Sequence, residues 1–163
     1  MRSRRPRLDA ELYVGPNRYF LTFCTAGRNR WFTRQDDVQL VLDQILRSAS
    51  ALDIEVIAYC FMPDHVHLLV EGLSAVADAC RFVHQAKQRT GYAFGLKHPG
   101  KKLWQPSYYD RILRDEESTL PVIRYILENP VRAQLVDSPA EYLFSGSPRY
   151  ALEEILEAAR WQP

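Results

Sequence analysis

His65 and His67 stand two apart in the run His65-Val66-His67-Leu68-Leu69-Val70. A strand repeats every two residues, so both imidazoles would project from one face while Val66 and Leu68 turn to the other and bury. Two neutral imidazoles side by side can hold a divalent metal through one ring nitrogen each. The same spacing also suits two half-exposed or hydrogen-bonded histidines, and taken alone it leaves both readings open. Asp64 precedes the pair as a turn residue or as an outer partner of a ligand. A second constellation lies in Arg124-Tyr125-Ile126-Leu127-Glu128-Asn129. On a helix, Tyr125 and Asn129 are i and i+4 and share a face. The Asn129 amide oxygen suits a third metal ligand. A phenol, with an ordinary pKa near ~10, attacks poorly until a cation or base stabilises its phenolate. A metal beside Tyr125 would do so and would polarise a phosphate as well. Read by itself, Tyr125 fits an amphipathic helix equally well.

The elements that must position these groups follow from pattern. Arg18 to Thr25 is rich in aromatic and β-branched residues and predicts a strand. Val38, Val41, Leu42, Ile45 and Leu46 at helical spacing predict a helix from about Gln35 to Ser50, with Asp36 and Asp37 favouring its N-terminus. Ile54 to Phe61 and His65 to Val70 pair as a hairpin across Met62-Pro63-Asp64. Ser74 is the predicted cap of a second helix through about Thr90, with Gly91 to Gly100 as a loop. Tyr109 to Leu113 predicts another strand. A third helix starts at Ser118 or Thr119, tolerates Pro121 in its first turn and is expected to end at Pro130. The order β-α-β-β-α-β-α suits an α+β fold, a ferredoxin-like antiparallel sheet with helices packed on it. The domains expected are a basic arm over 1–16, a catalytic domain over 17–136, and a tail over 137–163 that ends in a short helix, Leu152 to Ala159.

The whole chain bounds the function. Its 163 residues suit one domain, and 47% hydrophobic with 25% charged residues is ordinary for a globular protein. No apolar run approaches the ~20 residues of a membrane span, and the basic N-terminus lacks the apolar stretch of a signal peptide, so a cytoplasmic protein is expected. Cys24, Cys60 and Cys80 are odd in number and lack CxxC spacing, which predicts buried thiols in a reducing compartment. The formal net charge of +1 hides a partition: eight basic residues against Asp110 alone between Arg81 and Arg114, and seven against Asp9 and Glu11 in residues 1–30. One basic side of this kind suits a polyanion, although a solvated charged face explains charge alone equally well. The candidate DNA contacts are Arg4, Arg5, Arg18, Arg28, Arg30, Arg81, Lys87, Arg89, Lys101, Lys102 and Arg111, because guanidinium and ammonium groups neutralise phosphates. Trp104 and Tyr108 are candidate stacking platforms, with a core role favoured for Trp104. His84, on a helix, and His98, in a Gly/Pro loop, are not expected to be ligands.

The hairpin Tyr59-Cys60-Phe61-Met62-Pro63-Asp64-His65-Val66-His67-Leu68-Leu69-Val70 resembles the signature of the single-tyrosine transposases among HUH endonucleases. Trp104-Gln105 with Tyr109-Asp110, then Tyr125-Ile126-Leu127-Glu128-Asn129-Pro130-Val131-Arg132-Ala133, resembles the REP-associated tyrosine transposase branch, over roughly residues 17 to 136. That resemblance implies that His65 and His67 bind Mg²⁺ or Mn²⁺, with Asn129 completing the site. It implies that Tyr125 attacks a DNA phosphate, joins its 5′ side and frees a 3′-OH. It also implies a substrate of single-stranded DNA with imperfect hairpins, repetitive palindromes, acted on by a monomer or homodimer. Gln134 departs from the branch, which usually has Gly there, and an altered turn after the helix is expected. Two alternatives remain: a non-catalytic, domesticated DNA-hairpin-binding protein, and a relaxase or replication-initiator nuclease sharing the HUH motif.

Overall fold

The computed structural model describes residues 9–114 and 119–160. Arg4 and Arg5, and Ser118 as a helix start, lie outside them. The elements, in chain order, are β1 (Arg18–Cys24), α1 (Gln35–Ser50), β2 (Ile54–Met62), β3 (His65–Gly72), α2 (Ala79–Lys97), β4 (Tyr109–Leu113), α3 (Thr119–Leu127), α4 (Asn129–Arg132), β5 (Ser145–Gly146) and α5 (Leu152–Arg160). The strands form one antiparallel sheet in the order β4-β1-β3-β2-β5. The expected α+β sheet with helices packed on it is therefore the fold.

Alternation along the strands divides the core into two. Tyr19, Leu21 and Phe23 of β1 and Val66, Leu68 and Val70 of β3 pack with α1 and α2. Phe20, Leu69 and Leu113 face the other way, against Val122, Ile123, Ile126 and Leu127 of α3 and Ile155, Leu156 and Ala159 of α5. A register shift between Val56 and Ala58 changes the phase of β2, so that Ala58, Cys60 and Met62 join the α3 face. This bulge aligns Cys60 with His67 across the β2–β3 pair.

Four expectations need revision. The second helix does not begin at Ser74: Asp78 caps it, its side chain accepting from the Arg81 amide at 2.9 Å. Ser74 instead donates to Asp53. The helix also runs through Gly91 and Gly95 to Lys97, where a loop was expected. Phe94, fully buried, packs on Trp31 at 5.1 Å. Lys97 and His98 both reach the buried Asp37 carboxylate at 2.7 Å, tying the end of α2 to the start of α1. These contacts outweigh a glycine cost of roughly 1 kcal/mol each in a helix interior. Third, the helix stops ahead of Pro130 as expected, but a further short helix, α4, begins there. Without an N–H it cannot continue the ladder, so α3 stops at Leu127, Glu128 forms the joint, and Pro130 sits in the first turn of α4.

The fourth concerns Gln134. The Gln134 amide bonds Val131 O and the Leu135 amide bonds Pro130 O, both at 2.9 Å, with Gln134 at φ 58°. This is the Schellman ending, which favours glycine in that place. The turn is kept, and glutamine adopts the left-handed conformation.

Residues placed in the arm and tail by composition join the same core. Tyr13 is buried, and its hydroxyl bonds the Asp110 carboxylate. Tyr142 is buried and donates to Phe61 O at 2.6 Å, and α5 packs on α3. The three cysteines are free thiols; burial pushes that of Cys60 up to about 12. Among the described residues no helix is long and apolar enough to cross a membrane.

Candidate active site

β3 delivers both histidines to the α3 face, as the period of two requires. Their Nε2 atoms lie 3.2 Å apart, with ring planes at 78°. The opposite nitrogen of each ring is engaged from outside: His65 Nδ1 with Asp64 Oδ1 at 2.7 Å, and His67 Nδ1 with Thr22 Oγ1 at 2.8 Å. Arg28 Nε donates to the other oxygen of Asp64 at 2.9 Å. Burial opposes the charge on Asp64, yet the His65 and Arg28 contacts outweigh it and hold its pKa below the usual carboxylate value. An ionised Asp64 accepts from His65, which leaves His65 Nε2 as a bare lone pair. Thr22 can donate to or accept from His67 Nδ1, so its hydroxyl serves either tautomer without moving.

Both imidazoles are held neutral. Burial is the main cause in each; it lowers the His65 pKa against the pull of Asp64, and lowers His67 to about 3 with help from His65, Arg132 and Arg28. Neutral rings are the form that ligates a metal. Neighbouring ligands of an octahedral ion with bonds of roughly 2.1 Å lie about 3 Å apart, which the Nε2 pair matches. Among the described residues no cluster of three His, Cys, Asp or Glu side chains could hold a metal ion. A metal on this pair would draw its further ligands from amide, water or phosphate oxygens. Asn129, the third ligand expected, has its amide nitrogen buried without a hydrogen-bond partner, and half a turn about the last side-chain bond would put its oxygen in that place. An amide oxygen in that place suits a cation.

Tyr125, near the end of α3, reaches this pair. Its ring lies 5.9 Å from His67 and 5.8 Å from Phe20, edge-on to both, and Phe20 stacks on His67 at 5.3 Å. The side chain stays 47% exposed, open to a substrate. Arg132 of α4 places its guanidinium 4.3 Å over the Tyr125 ring, donates to the Tyr125 carbonyl and pairs with Glu128 at 3.5 Å. The joint at Glu128 is thus bridged by a cation resting on the tyrosine.

A family model described as IS200-like transposase matches residues 15–129, the stretch from β1 to Asn129. The chain belongs to that family. A solved REP-associated tyrosine transposase bound to a REP hairpin shares the fold at TM-score 0.73 and 22% identity, covering 88% of this chain and 81% of that one. A protein of Haemophilus influenzae provisionally named REP-associated tyrosine transposase is 22% identical over 147 residues, 84% of this chain and 83% of its own. A solved Deinococcus radiodurans protein provisionally named transposase is 24% identical at TM-score 0.52, covering 77% of this chain and 95% of that one.

Within this transposase the basic candidates disperse. Arg28 joins the site through Asp64. Arg111 projects from edge strand β4 and is exposed, and Arg30 is exposed in the loop after β1. Arg18 stands at the far end of β1, paired with Glu71 at 3.2 Å and bonded to Thr119. Arg81 and Arg89 are exposed on α2, behind the sheet, and Lys101 and Lys102 follow in the next loop. Lys87 is half-buried, donates to the carbonyls of Gln105, Pro106 and Ser107 at 2.7–3.2 Å, and burial lowers its pKa to about 8. That ammonium holds a loop. Trp104 is core, its Nε1 donating to Thr90, and Tyr108 packs on Phe23. Sequence reasoning missed Thr22, Phe20 and Arg132. Arg132 carried a signal, one turn beyond Glu128; Thr22 carried none until the strand register was known.

Proposed function

We propose that this transposase is a metal-dependent single-stranded DNA endonuclease and strand transferase that acts on hairpin-forming palindromic repeats through a 5′-phosphotyrosine at Tyr125. The observation carrying this reading is the ring of Tyr125 set 5.9 Å from His67, whose Nε2 faces that of His65 at 3.2 Å. Family membership and the hairpin-bound relative support the substrate class. A Mg²⁺ or Mn²⁺ held by His65, His67 and Asn129 would polarise the scissile phosphate and stabilise the developing charge. Tyr125 Oη attacks phosphorus, an Oη–P bond forms and the P–O3′ bond breaks. The phenolic proton ends on the departing oxygen, leaving a 3′-OH. A second 3′-OH reverses the same exchange and joins strands, one ester replacing another without ATP. Arg132 over the ring and Phe20 edge-on to it restrict the side chain to the site.

The test is incubation of the protein with single-stranded oligonucleotides bearing imperfect hairpins, with Mn²⁺, followed by denaturing electrophoresis. A covalent adduct is expected from wild type. Tyr125→Phe should give none and still bind the hairpin, and EDTA or His65→Ala should also remove it. An adduct persisting in Tyr125→Phe defeats the assignment.

A further inference from the structure

The turn after β1 places an arginine where the backbone favours glycine. Gly27 at φ 63° and Arg28 at φ 56° follow one another in the left-handed region, which arginine enters only against the clash of its Cβ. Strain of this kind persists where the surroundings over-determine it. The Thr25 hydroxyl, fully buried, donates to Asn29 O at 2.7 Å and to Asp64 O at 3.0 Å. The Thr25 amide also donates to Asp64 O, and the Phe32 amide to Pro63 O, both at 3.0 Å. The turn is thus fastened to the one between β2 and β3. None of these bonds uses the Arg28 side chain, so glycine in its place would keep them all.

What glycine would lose is the guanidinium. Its Nε donates to Asp64 Oδ2 at 2.9 Å and its Nη1 to Cys24 Sγ at 2.7 Å. Cys24 lies directly across from His65 in the β1–β3 register, and Asp64 precedes His65 in the chain. The guanidinium therefore spans two neighbours of His65. By holding Oδ2 it leaves Oδ1 aimed at His65 Nδ1, 2.7 Å away. A planar fork on a fixed backbone sets the plane of a carboxylate, which a flexible ammonium does not. We propose that Arg28 is a positioning residue for His65 that acts through Asp64. The left-handed turn aims the guanidinium, the guanidinium fixes the carboxylate, and the carboxylate holds the ring with its Nε2 lone pair toward His67. This rests on the reading of His65 as a metal ligand.

The experiment uses the full chain without DNA, so that no phosphate contact by Arg28 enters. Long-range proton–nitrogen NMR correlation on the metal-free protein at neutral pH reports which ring nitrogen of His65 carries the proton, and calorimetry reports Mn²⁺ affinity. Wild type should show the proton on Nδ1. Asp64→Ala should move it to Nε2 and weaken Mn²⁺ about ten- to hundredfold, the range for loss of an outer partner. Arg28→Gly should shift the His65 signals the same way by a smaller amount and weaken Mn²⁺ about two- to fivefold, the range for a half-exposed ion pair. It should do so without lowering the melting temperature of the metal-free protein, because the turn is relieved. A merely structural arginine would move melting and leave the ring alone. In the Asp64→Ala background, Arg28→Gly should have no further effect on Mn²⁺. An equal loss in both backgrounds, or unchanged His65 signals and Mn²⁺ affinity in Arg28→Gly, overturns the proposal. Wild type that binds no Mn²⁺, while His65 still responds to Arg28→Gly, removes the ligand reading and keeps the positioning role.

Discussion

Thr22→Val tests how the sheet prepares His67. The hydroxyl lies 2.8 Å from Nδ1 of a ring that is 7% exposed, so water cannot readily replace it. Valine keeps the branching at Cβ and the strand preference but offers neither donor nor acceptor. With the hydroxyl gone, Nδ1 loses the partner from β1 that holds the ring in place, and the ring must be oriented by the metal itself. Losing an outer partner of a metal-bound histidine typically costs 10–100-fold in metal affinity, or about 1.4–2.7 kcal/mol. Leaving a buried polar atom unpaired costs folding stability of about 1–3 kcal/mol, which better strand packing by valine partly offsets.

The assay is Mn²⁺ titration by calorimetry at pH 7, on wild type, Thr22→Val and Thr22→Ser. Serine retains the hydroxyl and should stay within a few-fold of wild type. Valine should bind ten- to hundredfold more weakly. Equal affinity for Thr22→Val and wild type would refute the view that the Thr22 hydroxyl prepares His67 for a metal. So would serine binding as poorly as valine, because the hydroxyl would then be irrelevant.

Gln134→Gly should stabilise the protein by roughly 0.5–1 kcal/mol. A non-glycine residue in the left-handed region costs about 1–2 kcal/mol, part of which glycine returns through its flexible unfolded state. Melting by circular dichroism should rise by about 1–4 °C. The clasp on Asp37 predicts an acid-sensitive joint between α1 and α2. Burial opposes the Asp37 charge, but the His98 and Lys97 hydrogen bonds outweigh it and hold its pKa below the ordinary carboxylate value. The folded state therefore binds this proton more weakly than the unfolded state, and the contribution is full above about pH 4 and lost as pH falls through the folded pKa. Asp37→Asn should destabilise at pH 7 and flatten that acid limb in urea melts.

What was legible in the sequence was local. The period of two in β3 placed both histidines on one face and buried Val66 and Leu68 on the other, because alternation is a property of a single strand. The i, i+4 spacing of Tyr125 and Asn129 was read on one helix, whereas the joint at Glu128 leaves Tyr125 in α3 and Asn129 at the start of α4. What was hidden depended on partners distant in the chain. Gly91 and Gly95 signalled a loop, and only Phe94 against Trp31 and the clasp on Asp37 explain why α2 continues. Ser74 looked like a cap until Asp53 claimed its hydroxyl. Thr22 became a partner of His67 only through the β1–β3 register. Lys87 looked like a phosphate ligand because three carbonyls far along the chain cannot be seen from residue 87.

The largest such gap concerns charge, and it yields a number. Among the described residues, basic groups dense along the chain are not gathered in space. Arg81, Arg89, Lys101 and Lys102 lie with α2 or the loop leaving it, on the side of the sheet away from Tyr125, while Lys87 and Arg18 are committed to carbonyls and to Glu71. Of the described candidates, Arg28, whose side chain stays half-exposed beside Asp64, with Arg30 and Arg111, remain for a single strand on the site's face. Each phosphate contact to a single strand contributes about 0.7 to the slope of log K against log salt. Three contacts give a slope of about −2 for a thymidine flank, whereas all eleven candidates would give about −8. Adding Arg132 makes it about −3. A measured slope steeper than about −5 would mean that the strand wraps to the α2 side, and the division of the basic residues by the sheet would then not govern binding.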